Sequence, residues 1–313
     1  MPENGEEVNI KTISLLLLGL LIAAGCNPSA NSTTGSDGGG PRVLASTSFL
    51  ADITQNIAGD RMVVESLLPL GSDPHTFQPK PADAAKVAAS TVLILNGTDY
   101  EHFIEPLLEN AGGERIVVDA SKGLTPRFYR DGDEHGAGDP HFWLDPNLVI
   151  AYVENIRDGL IAADPEGAEI YSSNTESYIR ELQDLDTWID TQVDTLSPEE
   201  RLLVTNHEVL GYFADRYGFT IVGTVIPSLS SESSPSAQEM AALVEQIKAS
   251  GAIAIFLDAA DNPALARQIS EDAEVKVITG LHLESLTNSD GPTPTYLEMM
   301  KYNTNLIVEG CKK

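Results

Sequence analysis

The chain has 313 residues, enough for two domains that each bury a core. A hydrophobic fraction of 42% excludes wholesale disorder. Nineteen Lys and Arg against 47 Asp and Glu give a formal charge of −28, which excludes nucleic acid as a partner because its phosphates would be repelled. The acidic balance suits a protein that attracts cations, and a solvated acidic surface is the plainer reading of most of it.

The leader comes first. Ile13–Ala24 is an apolar run of signal-core length, short of the roughly twenty residues that a bilayer-spanning helix needs. It ends in Leu21-Ile22-Ala23-Ala24-Gly25-Cys26, small residues just before a cysteine, which resembles a bacterial lipobox. Residues 1–26 are therefore read as a signal peptide whose Cys26 is lipidated, with an ordinary cleaved signal as the alternative. Residues 27–41, rich in Ser, Gly, Asn and Thr, offer nothing to bury and read as a flexible tether. With Cys26 lipidated, Cys311 has no partner within the chain and reads as a lone thiol near a frayed end.

From Arg42 onward, short β-rich runs alternate with helical patterns. Strands are predicted over Arg42–Ser46, Met62–Leu68, Thr91–Asn96 and Arg115–Asp119, with helices at Phe49–Ala58 and Pro81–Ala89. The pattern repeats with strands over Arg201–Thr205, Thr220–Val225, Ala252–Asp258 and Val275–Thr279 and helices over Glu208–Tyr217, Ser236–Ala249 and Pro263–Glu271. Such alternation predicts an α/β fold of mainly parallel sheets flanked by helices. Between the two series, Pro146–Ala162 reads as a helix capped by Asp145 with Pro146 at its first position. Asp164 and Pro165 open a second helix that no Pro or Gly interrupts after Gly167 and that can run to about Leu196. At 1.5 Å per residue, about thirty residues make roughly 45 Å, enough to run beside both lobes and limit hinge bending. The predicted boundaries are 42–164 for an N-terminal lobe, 165–197 for a linking helix and 198–313 for a C-terminal lobe.

Three of the six histidines sit in polar loops. His75 lies in Asp73-Pro74-His75-Thr76-Phe77, His141 in Asp139-Pro140-His141-Phe142-Trp143-Leu144-Asp145-Pro146, and His207 in Asn206-His207-Glu208. His75 and His207 follow predicted strands, at the carboxyl ends where open α/β sheets place ligands. Proline fixes the backbone before His75 and His141. Imidazole suits zinc and several other transition metals, although a single such histidine is more often an ordinary surface or core residue.

With these segments, Ala58-Gly59-Asp60-Arg61, Asn96-Gly97, Asn206-His207-Glu208-Val209-Leu210-Gly211-Tyr212-Phe213 and Thr295-Tyr296-Leu297-Glu298-Met299-Met300, the sequence resembles the zinc- and manganese-binding receptors of ABC importers, the cluster A-I or cluster 9 solute-binding proteins. The resemblance runs from about Val43 to Val308. It implies two α/β lobes joined by a long rigid helix, with a divalent metal bound in the cleft between them. It also implies delivery of that metal to the membrane permease of the importer, by a monomer anchored to the outer face of the cell membrane by lipid. His75, His141 and His207 fall on three of the family's ligand positions. The fourth is a carboxylate, usually Asp, and Glu284-Ser285-Leu286 matches its segment, so Glu284 is the candidate, with His282 or a water as alternatives. Asp258 reads as a supporting or capping group, Trp143 and Trp188 as packing, and His102 as a helix residue away from any metal. The acidic, Gly-rich loop Asp131–Asp139 with its single His135 reads as a solvated loop.

Three imidazoles and one carboxylate favour zinc over manganese. Two other functions remain open from the sequence. A zinc-dependent hydrolase would need an open fourth position and a base such as Glu208. A surface adhesin would carry the metal only as a structural element. The expectation is a binding protein, not an enzyme.

Overall fold

Among the described residues, eight short parallel strands form two sheets, one in each half of the chain. The computed structural model describes residues 41–128 and 138–313, which fall within one compact unit spanning residues 40–313. Cys26, residues 27–40 of the tether and His135 lie outside the described residues. In the first sheet, β1 (Val43–Ala45), β2 (Val64–Ser66), β3 (Val92–Leu95) and β4 (Ile116–Asp119) lie in the order β2-β1-β3-β4. In the second, β5 (Leu202–Thr205), β6 (Thr220–Thr224), β7 (Ala254–Asp258) and β8 (Lys276–Leu281) lie in the order β6-β5-β7-β8. Every pairing is parallel, with Val43 opposite both Val64 and Val92 in the first sheet. Parallel sheets are covered on both faces, which is why β1 and β7, central in their sheets, are buried along their whole length.

Helices α1 (Ser48–Ala58), α2 (Pro81–Ala89), α3 (Ile104–Ala111) and α4 (Pro146–Ala163) flank the first sheet. Local chemistry sets their ends. Thr47 accepts the Leu50 N–H at the start of α1, and Gly59 follows its last residue at φ 59°. Asp145 accepts the Asn147 N–H ahead of Pro146 in α4. The second sheet carries α6 (Gly211–Tyr217), α7 (Ala237–Ser250), α8 (Ala264–Ala273) and α9 (Tyr296–Cys311).

The long helix α5 (Ala168–Val193) follows a 3-10 turn at Pro165–Gly167 and has 26 residues, about 39 Å. Its buried stripe, Tyr171, Thr175, Tyr178, Leu182, Leu185, Ile189 and Val193, recurs at three- and four-residue steps and packs against α1, α4 and α9. One core cluster therefore runs from Phe49 and Ile53 through Tyr178 and Leu185 to Met299 and Ile307. Smaller clusters, around Leu93 and around Ile255, fill the outer face of each sheet.

The structure corrects several expectations. Helix α9 was not anticipated, and the helix expected around His102 is α3, which starts only at Ile104. The helix expected from Glu208 starts at Gly211, because residues 206–210 form a loop at the end of β5. His102 lies in the turn before α3, exposed, and not on a helix. Cys311 is no frayed thiol. It is buried in the last turn of α9 with its Sγ 3.6 Å from the Leu202 carbonyl.

Candidate metal centre

His75, His141, His207 and Glu284 converge between the sheets. One ligand atom from each lies within 4.8 Å of all the others, and no other group of this kind occurs among the described residues. The imidazole centroids form a near-equilateral triangle with sides of 5.3, 5.6 and 5.8 Å. Glu284 Oε1 stands 3.0 Å from His75 Nε2, 3.7 Å from His141 Nε2 and 4.0 Å from His207 Nε2. Tetrahedral ligands bonded at about 2.1 Å stand about 3.4 Å apart, so these separations bracket the edge of a zinc-sized tetrahedron. All four residues are nearly sealed from water, with exposures of 8, 0, 1 and 7% in chain order.

The two Asp-Pro-His segments build their histidines alike. Asp73 Oδ1 accepts the His75 N–H at 2.8 Å, and Asp139 Oδ1 accepts the His141 N–H at 3.0 Å. Each is an aspartate turn stiffened by the intervening proline. The two aspartates then diverge. Asp139 Oδ1 also meets His141 Nδ1 at 2.8 Å, which fixes the ring and leaves Nε2 facing the centre. Asp73 Oδ2 accepts instead from Ser231 of the second lobe at 2.5 Å. Asn96, at the end of β3, donates to the Pro140 carbonyl at 2.9 Å and accepts from Tyr152 at 2.6 Å, anchoring the His141 loop.

Arg127 backs Asp139. Its guanidinium lies 3.4 Å from Asp139 Oδ2 and 3.0 Å from Asp215 Oδ2, over the Tyr212 ring. Tyr212 donates to the Asp139 carbonyl at 2.7 Å. This approach requires a glycine at Gly211, where a Cβ would stand 1.5 Å from Arg127 Nη1.

His207 lies on the short loop after β5, its carbonyl accepting from Thr205 Oγ1 at 2.7 Å. Neither of its ring nitrogens has a hydrogen-bond partner, nor has His75 Nδ1, while His75 Nε2 and His141 Nε2 face only Glu284 Oε1. Buried imidazoles without partners are costly unless a cation completes them. The loop of Glu284 is held from both lobes. Trp143 Nε1 donates to the Leu283 carbonyl at 2.7 Å, Ser48 Oγ accepts from Leu286 N–H at 2.9 Å, and Asp258 Oδ2 accepts from Leu283 N–H at 2.5 Å. His282 turns away, its backbone paired to Asn303 and its ring against Tyr302.

The electrostatics follow from burial and charge. Burial pushes His207 down to about 3, so it is neutral. Burial also disfavours the charged form of His141, but hydrogen bonds and charge from Asp139 and Glu284 prevail and hold it at about 9. Burial would raise Glu284, yet the three surrounding imidazoles hold its carboxyl well below the usual range.

The sequence had singled out all four converging side chains. It placed Asp139 in a solvated loop, although Asp139 is buried against His141, left Asp73, Asn96 and Arg127 without roles, and read Trp143 as packing alone. The doubled Asp-Pro-His was the available signal for the first two, since a carboxylate two residues before each histidine is placed to orient it. Asp258 does cap its own turn, accepting the Ala260 N–H at 2.8 Å.

Two parallel-sheet lobes bridged by a long helix, with a buried cluster of nitrogen and oxygen donors between them, define a two-lobe binding protein. Residues 43–310 match the family described as ZnuA, zinc-uptake complex component A periplasmic, and the chain belongs to it, among the metal-binding receptors of ABC importers. It is 35% identical over 291 residues to the manganese-binding lipoprotein MntA of Halalkalibacterium halodurans, covering 93% of this chain and 94% of that one. The iron-binding protein YfeA of Yersinia pestis is 29% identical, covering 86% of each. A manganese-bound mutant of the periplasmic metal-binding protein from Candidatus Liberibacter asiaticus superposes with a TM-score of 0.78 at 29% identity, over 86% of this chain and 98% of that one. The periplasmic zinc-binding protein TroA of Treponema pallidum shares the fold at a TM-score of 0.80 and 24% identity, over 88% and 100% of the two chains.

Proposed function

We propose that His75, His141, His207 and Glu284 are the ligands of a divalent transition metal that this receptor captures outside the membrane and hands to an ABC importer, and that zinc binds more tightly than manganese. The observation that carries the reading is the set of buried imidazole nitrogens gathered around one carboxylate oxygen, with no other partner for those that face it. Three nitrogens and one oxygen at tetrahedral spacing suit zinc. Manganese favours more oxygen ligands and stands lowest in the affinity series for such sites. Manganese is the second reading, favoured by the name of the 35% identical relative. Each lobe supplies two ligands, so the ion ties the lobes together.

A fourth protein ligand closes the site and removes the bound water that hydrolysis needs. The lipobox at Cys26 and the tether after it support anchoring on the extracytoplasmic side. Among the described residues no helix is long and apolar enough to cross a membrane. Growth of a deletion strain under metal limitation separates transport from adhesion.

The test is elemental analysis of protein purified without added metal, followed by zinc–manganese competition on wild type and His207→Glu. Zinc should win in the wild type, and an added oxygen ligand should narrow the gap. Manganese winning in the wild type, or an unchanged ratio in the mutant, would overturn the claimed preference.

A further inference from the structure

In the second sheet, β7 lies between β5 and β8, the two strands that lead to His207 and Glu284. The turn after β7, Asp258-Ala259-Ala260-Asp261, therefore lies between the loops that carry these residues, and it bonds to both. Asp258 Oδ2 accepts the N–H of Leu283, the residue before Glu284, at 2.5 Å. Asp261 Oδ1 accepts from the Nδ2 of Asn206, the residue before His207, at 2.6 Å. The two carboxylates are joined through the turn itself, because Asp261 Oδ2 accepts the Asp258 N–H at 2.7 Å and Asp258 Oδ1 accepts the Ala260 N–H at 2.8 Å. All four carboxylate oxygens are engaged. Capping the turn accounts for the two inner bonds. It does not account for the two outer ones, which end on the residues adjoining the candidate ligands.

Keeping two acids here is costly. Burial, more than any other influence, pushes both carboxyls up to about 7, and the charge of Glu284 adds to the effect on each. A turn needed only to connect β7 to α8 could be made with one capping aspartate or none.

We propose that the Asp258–Asp261 turn is a strut that sets the separation of His207 and Glu284, with Asn206 and Asp261 as positioning residues that determine metal selectivity. The proposal rests on the reading of His207 and Glu284 as metal ligands. Held by one turn, the two ligands of the second lobe move as a rigid pair, at a spacing that suits a small four-coordinate ion. Cutting the Asn206–Asp261 link frees His207 from Glu284, which relaxes the geometry toward larger ions with more ligands.

The experiment uses the full chain with Asn206→Ala, Asp261→Ala and the double variant. Asp164→Asn is the control, because it removes the charge that pairs with Arg61 far from the centre. Cobalt(II) absorption reads coordination geometry, and zinc–manganese competition reads selectivity. Both single variants should shift the cobalt bands and lower the zinc-to-manganese preference about tenfold or more, the usual scale for losing an outer partner of a metal ligand. The double variant should do no more than Asp261→Ala, because Asn206→Ala cuts a link that Asp261→Ala has already lost. The control should lose thermal stability with its spectrum and ratio unchanged. A wild-type spectrum and ratio in Asn206→Ala overturns the strut, as does an equal change in Asp164→Asn, and Asn206→Ala decides alone if Asp261→Ala does not fold. Wild-type protein that takes up neither cobalt nor zinc overturns the ligand reading itself, a result distinct from failure of the strut.

Discussion

Replacing Asp139 by Asn keeps the side chain's shape and one acceptor oxygen while removing the charge that faces His141 Nδ1. In the metal-free protein that charge, with Glu284, overcomes burial and holds His141 at about 9. A ligating imidazole must be neutral, so at neutral pH an ion has to displace the proton. With the pKa about two units above pH 7, this opposes binding by about 2.7 kcal/mol, or about 100-fold. The proton is present in the free protein and absent from the complex. Apparent affinity therefore rises about tenfold per pH unit up to about pH 9 and then levels. His207, held at about 3, is already neutral and adds nothing to this slope. In Asp139→Asn the His141 pKa falls, which relieves much of the opposition at neutral pH. The lost orientation of the ring costs about 10- to 100-fold at every pH. The two effects nearly cancel at pH 7, and only the second survives near pH 9. The ratio of mutant to wild-type Kd should thus lie near one at neutral pH and climb by an order of magnitude or more toward pH 9. Zinc titration against a chelator of known affinity measures it. A ratio that is flat or falls as pH rises would refute the reasoning.

Other outcomes are expected. His75→Ala, His141→Ala and His207→Ala should each weaken zinc binding sharply while circular dichroism stays native, because all three side chains stand on loops. Glu284→Ala should do less, because a water can take its place, and near-native affinity in any histidine mutant would remove that residue from the site. Zinc should raise the melting temperature, contributing about 2.7 kcal/mol at 100 times Kd, and an unchanged melting curve at saturating zinc and manganese counts against the receptor. Cys26→Ser should move the protein from the membrane to the soluble fraction with its metal affinity intact, and a mutant that stays with the membrane removes the lipobox.

Much of this fold was legible because its signals are local. Pro81 and Ala89 bound α2 as expected, Asp145 and Pro146 open α4, and each of the eight strands lies where a β-rich run stands between helical patterns. What stayed hidden depends on distant partners. The polar residues of α9, such as Asn303 and Thr304, are buried against the rest of the fold, which a count of apolar positions along one segment does not reveal. Ser231 bonds Asp73 from 158 residues away, and Trp143 reaches the Leu283 carbonyl across 140. The four converging side chains were found through motif likeness. The groups that aim them became visible only when the two sheets faced each other.

The segment from Leu283 to Leu286 belongs to the second lobe by covalent connection, yet the first lobe grips it through Trp143 Nε1, Ser48 Oγ and the bond from Gly71 N–H to Ser285 Oγ. His75 and His141 travel with one lobe and His207 with the other, while this strip is pulled by both. In mechanical terms it is a fuse. A force that spreads the lobes must break those three first-lobe bonds before it can draw Glu284, and His207 tied to it through the Asp258–Asp261 turn, away from His75 and His141. An ion bound by all four side chains would then lose its two second-lobe ligands as a pair. The grip on the cargo would slacken in a single step at the moment the receptor is pried apart.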